Sequence, residues 1–432
     1  MDIFEELTAQ ADQVEVTNLQ NEATTVEFEA NKLKASRVEQ TSGMAVRLVK
    51  DGRLGFTASS DMRQPERLVE NALQSARFGD PVSLVFPAPR PPEDVQSYDR
   101  RIAELSVSSL VEIGFDILEV IHAVEPQALV NLALQRNTQH FALQNQAGAK
   151  IDFQRSPFSI SAEITRIEGD DVLMLFDMMG VTQWEDDYLD FARRLADKLE
   201  KARILVPIHS GKMPVIFSPA GGLVLGVPLM EGVNGKNVYT GVSPLIGKID
   251  TQIFDEKITV VDDGTLDGRF GSSPYDDEGV PHQRTTIIEQ GVLKNFLYDL
   301  KTAAQAGVQS TGNGTRGLFT PPRPEPTNLL FAAGNIPISE MIASVKDGLL
   351  IEDVLGIGQG NVISGAFSNP ISLAFKIEDG KLVGRVKNAT IADNIYDLLK
   401  NVTAVSQERQ WVYQSLCMPY IMLPEMNVIA QE

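Results

Sequence analysis

The chain has 432 residues, a formal net charge of −20, 43% hydrophobic residues, four histidines and a single cysteine. At roughly 100–200 residues per domain, this length predicts two or three domains, with cores large enough to need no disulfides. Cys417 has no second cysteine to pair with, the N-terminus MDIFEELTAQ carries neither a basic nor an apolar leader pattern, and the acidic balance repels phosphate backbones. A disulfide scaffold, a secreted protein and a direct nucleic-acid binder are therefore excluded as expectations, and the expected location is cytoplasmic. The apolar run from Val215 to Met230 is broken by Pro219, Gly221, Gly222, Gly226 and Pro228, so no membrane span is expected.

Ile3, Phe4, Leu7 and Ala11 fall at helical spacing. Val14 to Lys50 then alternates apolar and polar residues, the period of half-buried strands. Asp51-Gly52 is a two-residue hairpin signal, because both central positions need positive φ. Pro65 opens a helix presenting Leu68, Val69, Ala72, Leu73 and Ala76, with its end expected by Gly79. Phe86 to Pro92 reads as a stiff extended linker. A second pass through the same plan follows: a helix with Leu105, Leu110, Ile113 and Leu118, alternating segments from Ala128 to Met179, and a helix with Phe191, Leu195 and Leu199. These elements predict a helix-and-curved-sheet domain ending near residue 205, with His209-Ser210-Gly211 as a hinge.

From Met213 the pattern changes. Pro214 to Phe217 reads as a short strand, Ala220 to Glu231 as a glycine-rich helix or tight coil, and Ile258 to Val261 as a strand running into the acidic turn Asp262-Asp263-Gly264. A hairpin is expected with arms Arg284 to Glu289 and Val292 to Tyr298, and a long loop from Thr311 to Pro326. Strands are expected over Val362 to Phe367, Ile371 to Ile377 and Leu382 to Val386, then a helix from Asp393 to Lys400.

Few motifs carry chemistry. Gly312-x-Gly314-x-x-Gly317 has dinucleotide spacing, but Pro321 and Pro322 follow it, so no helix N-terminus receives a pyrophosphate. His122, His140, His209 and His282 are isolated, whereas a local zinc site needs two ligands on one helix face. Asp276-Asp277-Glu278, close to Ser272, Ser273 and His282, reads either as a solvated acidic turn or as a source of general acid and base carboxylates. Cys417, among Leu416, Met418 and Tyr420, reads as a buried inert thiol.

Four segments carry a family resemblance: SPYDDEGVPHQRTTIIEQG at 273–291, the stretch 310–328 with Pro326-Thr327-Asn328, VISGAFSNPISLAFKIEDG at 362–380, and VKNATIADNIYDLLKNVT at 386–403. In order and spacing they resemble the TldD/PmbA family of peptidase-related proteins, once called modulators of DNA gyrase. The resemblance implies an α+β protein: an N-terminal helix-and-curved-sheet domain over 1–207 and a C-terminal barrel-like β domain over 208–432. It also implies work in an intracellular peptidase system. One branch of that family holds zinc with HExxxH and a later cysteine. The other, PmbA-like branch lacks the motif and pairs with the first.

This sequence resembles the second branch. Where the motif would lie it reads VIFSPAGGLVLGVPLMEGVNGKNVY, placing Ser218, Pro219 and Leu223 at the ligand and base positions, and none of these is a zinc ligand. Cys417 lies closer to the chain end than the family's cysteine. No metal or other cofactor is expected here, with zinc only in a TldD-like partner. The expected assembly is a homodimer, or a heterodimer with such a zinc peptidase, acting on unfolded or short peptides. A peptide would add as a strand to a sheet edge, with Gly221, Gly222, Asn234, Gly235 and Arg316 as groove candidates. Two alternatives stay open: a peptidase using Asp276, Asp277, Glu278 and His282, and a peptide-binding regulator of a toxin or gyrase system.

Overall fold

In the computed structural model, which describes residues 2–185 and 188–430, the first half of the chain repeats one helix–strands–helix plan. Helix α1 (Ile3–Thr8), strands β1 (Gln13–Glu29), β2 (Lys32–Lys50) and β3 (Arg53–Ser59), and helix α2 (Pro65–Phe78) form the first pass. The second comprises α3 (Arg100–Ala103), α4 (Val107–Val124), β4 (Leu129–Asn145), β5 (Lys150–Arg155), β6 (Phe158–Glu168), β7 (Asp171–Val181) and α5 (Leu189–Lys201). Antiparallel pairing of β1 with β4 joins the passes into one seven-stranded sheet of order β3-β2-β1-β4-β6-β7, with β5 on β4, curled as a half-barrel.

Local chemistry explains the boundaries. Asp2 caps α1 by accepting the Phe4 N–H at 2.9 Å. Asp51 and Gly52 take φ of 51° and 70° in the tight β2–β3 turn. The long β1–β2 hairpin turns at Ala30 and Asn31, both at positive φ, and the Asn31 side chain bonds to the backbone of Ala128 and Val130 to hold that turn.

The second half begins with β8 (Gly211–Phe217), α6 (Leu223–Gly232), α7 (Gly235–Tyr239), β9 (Val260–Asp263), β10 (Arg284–Glu289), β11 (Val292–Leu293) and α8 (Leu300–Ala306). The short paired strands β12 (Gly314–Thr315) and β13 (Arg323–Pro324) follow, then β14 (Leu329–Phe331), α9 (Ile338–Ala343) and β15 (Asp347–Val354). It ends with β16 (Ala366–Glu378), β17 (Lys381–Val386), β18 (Ala389–Asn394), α10 (Ile395–Leu398), β19 (Ala404–Val412) and β20 (Leu416–Ala430). These strands make an 11-stranded sheet in which β20 also pairs with β8, closing the ring β8-β15-β16-β18-β20 into a barrel.

Several expected elements differ: the acidic turn Asp262-Asp263 is the buried end of β9, and the long loop carries the short β12–β13 pair. The second hairpin arm keeps only Val292–Leu293 as strand, because the Lys294 and Asn295 N–H groups both turn back to the Ile287 carbonyl. The stretch from Val362 begins as a 3₁₀ turn that ends at Gly365, whose φ is 73°. Residues 389–394 are a strand between β16 and β20, and Asn394 caps the helix by accepting the Tyr396 N–H, so α10 starts only at Ile395.

Apolar packing ties the halves together. One cluster runs from Ile117 of α4 and Leu195 of α5 to Ile216, Leu350, Phe375 and Met422 on the barrel strands. A second fills the barrel around α6, with Phe217, Leu225, Leu229, Ile351 and Met418. The predicted hinge region is anchored on both sides. The backbones of Ile204 and Val206 bond to Arg385, and Ser210 Oγ accepts the Ala430 N–H at 2.9 Å.

Candidate functional site

The turn from β8 into α6 is where the degenerate metal motif falls. Ser218, Pro219 and Leu223 are all buried there. Ser218 Oγ accepts the Gly221 N–H at 3.1 Å and lies 3.4 Å from the Glu352 carbonyl, so its hydroxyl serves the turn. The turn can come this close to β15 only with glycine at 221: a Cβ there would sit 2.2 Å from the Ile351 carbonyl oxygen. Helix α6 buries residues all round, Leu223, Val224, Leu225, Pro228 and Leu229 among them.

The cysteine faces away from this turn. Met418 of β20 packs over Gly222, where an added Cβ would lie 2.9 Å from the methionine Cε, and Leu416 covers Gly226. Strand alternation sends Cys417, between them, to the opposite face. Its thiol is buried and pushed up by desolvation. His122, His140 and His282 bond to Ala128, Asp152 and Gly312 respectively, and His209 is exposed. Among the described residues, no three His, Cys, Asp or Glu side chains converge as a metal site. The residues at the β8–α6 turn do not fit zinc.

The acidic run is not a solvated turn. Asp276 and Glu278 are buried at 2% and 0% exposure, and every carboxylate in the run is used. Asp276 accepts N–H groups from Glu278, Val280 and Gly314. Asp277 accepts the Arg316 N–H at 2.8 Å, and Glu278 accepts the Leu300 N–H at 2.6 Å. Glu278 also meets the Arg47 guanidinium, which is held by Glu15 through bonds of 2.8 and 2.7 Å. Burial pushes the Glu278 carboxyl up to about 7 against the pull of Arg47, and it raises Asp276 and Asp277 as well.

His282 joins this knot as a neutral ring, pushed down to about 4 by burial, with Nδ1 donating to the Gly312 carbonyl at 2.7 Å. Asp276, Asp277 and His282 line a small cavity of about 220 Å³ together with Arg155 and Thr327. The Pro326-Thr327-Asn328 end of the long loop is fixed to the same knot. Thr327 donates N–H and O–H to Asp262, and Asn328 donates to the Asp263 carbonyl and Ser272 Oγ. The long loop is therefore pinned at both ends, which its glycines and prolines alone do not reveal.

The groove candidates do not meet in one place. Arg316 is turned inward, its guanidinium 3.4 Å from Glu15 and over the Phe56 ring, with its side chain wholly buried. Asn234 ties α7 to β13 by donating to the Pro324 carbonyl, and Gly235 lies against Tyr298. An open groove of about 410 Å³ does run along α6, lined by Val224, Pro228, Phe367, Ser368 and the loop 355–362. Gly356, Gly358 and Gly360 in that loop all take positive φ. The sequence offered the glycine spacing as a signal, but nothing local tied it to α6, some 130 residues earlier.

The model for the PmbA/TldA metallopeptidase C-terminal domain matches residues 210–430, and that for domain 1 matches residues 19–76. The chain belongs to the PmbA/TldD metallopeptidase family. It is similar to a protein named metalloprotease from Methanothermobacter thermautotrophicus, 26% identical over 87% of this chain and 84% of that one. It is also similar to a metalloprotease TldD homolog of Haemophilus influenzae, 34% identical over 48% of this chain and 43% of that protein. The crystal structure of TldE from Thermococcus kodakarensis has the same fold, with a TM-score of 0.90 at 24% identity over 99% of each chain. Within this PmbA/TldD fold, the first two motif segments, 273–291 and 310–328, supply most of the buried knot that joins the barrel side to the N-terminal sheet. No described helix is long and apolar enough to cross a membrane.

Proposed function

We propose that this chain is a PmbA-like family member that does not cut peptides itself. It acts in the cytoplasm as one subunit of a peptide-processing system whose zinc sits in a TldD-like partner. The observation that carries this reading is the β8–α6 turn, where Ser218, Pro219 and Leu223 are buried, offer no good zinc ligand and leave Met418 packed over Gly222. The acidic knot supports it, since its carboxylates are committed to backbone N–H groups and to Arg47. The peptide is placed in the groove along α6, beside Phe367 and the glycine loop.

The test is peptide hydrolysis by the purified chain, alone and mixed with a TldD-like zinc peptidase from the same source. The expected result is no cleavage by the chain alone and faster cleavage by the mixture than by the zinc peptidase alone. Robust hydrolysis by the chain alone would sink the reading.

A further inference from the structure

A cleft of about 510 Å³ opens between the two halves of the chain and shares no lining residue with the groove along α6. One wall is Leu54 and Phe56 of β3 with Phe78 at the end of α2. The other is Lys236 and Tyr239 of α7, the first turn of α8 and the prolines around β13. Phe78 is 91% exposed and Tyr239 56% exposed. Aromatic rings left open to solvent around a cavity with a polar rim are the mark of a ligand site.

The walls are fixed. Gly79 lies so close to β3 that an added Cβ would sit 1.8 Å from the Leu54 carbonyl oxygen, and the Leu54 N–H donates to the Asp80 carbonyl at 3.1 Å. The backbone after Phe78 is thereby locked to β3, which keeps the ring at the rim. Lys301 Nζ reaches Asp80 across the two halves at 2.7 Å, and Asn234 ties α7 to β13. A preformed site loses little affinity to ordering. Its charge is unusual for a chain of net charge −20, since the six charged residues lining it are four cations and two carboxylates. Arg47 is committed to Glu15 and Glu278, Lys301 to Asp80 and Arg323 to Glu325, while Asp299 caps α8 by accepting from Thr302. Lys236 is exposed and has no ion pair among the described residues.

We propose that this cleft binds an aromatic carboxylate, its ring among Phe56, Phe78 and Tyr239 and its carboxylate on Lys236. An aromatic cation would face the uncompensated Lys236, and an aliphatic acid too small to reach the rings would leave them wet. The same chemical group has two sources, a free acid and the C-terminus of a peptide that ends in an aromatic residue. The site requires neither zinc nor a partner subunit, and it does not depend on a peptide lying along α6.

Calorimetric titration of the full chain with N-acetylphenylalanine tests it. A dissociation constant of about 1 mM or tighter is expected, with N-acetylphenylalaninamide and N-acetylglycine about tenfold weaker or more, because each lacks the carboxylate or the ring. K236E and F78S change exposed positions, so both should melt like the parent, and each should weaken N-acetylphenylalanine by about tenfold or more. A short peptide ending in phenylalanine separates the sources. Displacement of the acid by the free-ended peptide assigns the site to a peptide terminus, and no displacement assigns it to the free acid. No binding of the acid up to about 10 mM, equal binding of acid and amide, or unchanged affinity in either variant would each overturn the proposal.

Discussion

Arg47 on the N-terminal sheet and Glu278 on the barrel side, 231 residues apart in sequence, form a buried ion pair. Glu15 completes the triad from β1, and Arg316 closes on Glu15 from the long loop. Charges this deep are stable only when paired and fully hydrogen-bonded, so the triad fixes how the halves meet and makes the barrel side depend on the N-terminal sheet.

Removing Arg47 leaves Glu278 without its cation in the interior and Glu15 with Arg316 alone, at 3.4 Å. R47A is expected to lose about 3–5 kcal/mol in urea unfolding, whereas E278Q, whose single amide oxygen can accept from Arg47 or from the Leu300 N–H but not from both, leaves no unpaired charge on Glu278 and should lose less. Equal stability of R47A and the parent would contradict the triad's role.

A second, half-buried group sets a pH dependence. Asp353 is pushed up to about 7, chiefly by burial, with Asp177 and Glu352 adding to the rise and Lys198 opposing it. Its folded value lies above the unfolded value of about 3.9. Its contribution to stability is therefore complete below that unfolded value and is lost as pH rises through 7. Relative to the parent, D353N is expected to gain about 1–2 kcal/mol on going from pH 5.5 to pH 8.5. Thermal or urea unfolding of both proteins at the two pH values checks this, and a constant difference would refute it.

The close approach of the β8–α6 turn to β15 predicts an asymmetry between two glycines. G221A forces a Cβ against the Ile351 carbonyl and is expected to cost about 1–3 kcal/mol. G211A meets nothing within 4 Å and should lie within about 0.5 kcal/mol of the parent. Circular-dichroism melts of the two variants would show whether the turn is as tight as described.

The groove along α6 is open to blocking. Ser368 is exposed on β16 and lines it, so S368W should fold like the parent yet slow peptide cleavage in the presence of a TldD-like partner several-fold. Unchanged cleavage by that mixture would move the peptide elsewhere.

Much of the fold was legible locally. The apolar faces of α2, α4 and α5, the Asp51-Gly52 turn and the alternation in β1, β2 and β4 follow from short-range pattern. Barrel closure was not, because β20 meets β8 some 200 residues earlier in the chain and no local period records such a partner. The acidic run misled for a related reason. Asp276-Asp277-Glu278 looks solvated until Gly314, Arg316, Leu300 and Arg47 arrive from distant segments to use its oxygens. The one available signal was Glu15 and Arg47 set singly within the apolar stretches Val14 to Val16 and Val46 to Leu48, where an isolated charge in a strand buried on both faces calls for a partner. The β8–α6 turn was the reverse case, since the poor ligand chemistry of Ser218, Pro219 and Leu223 is a property of the side chains themselves and needs no distant partner to be read.

Metal analysis of the purified chain bears most directly on that turn. Prepared without chelator and dialysed, the protein is expected to retain far less than one zinc per chain. One tightly held zinc per chain, lost together with peptide hydrolysis on chelation, would contradict a subunit that leaves the chemistry to its partner.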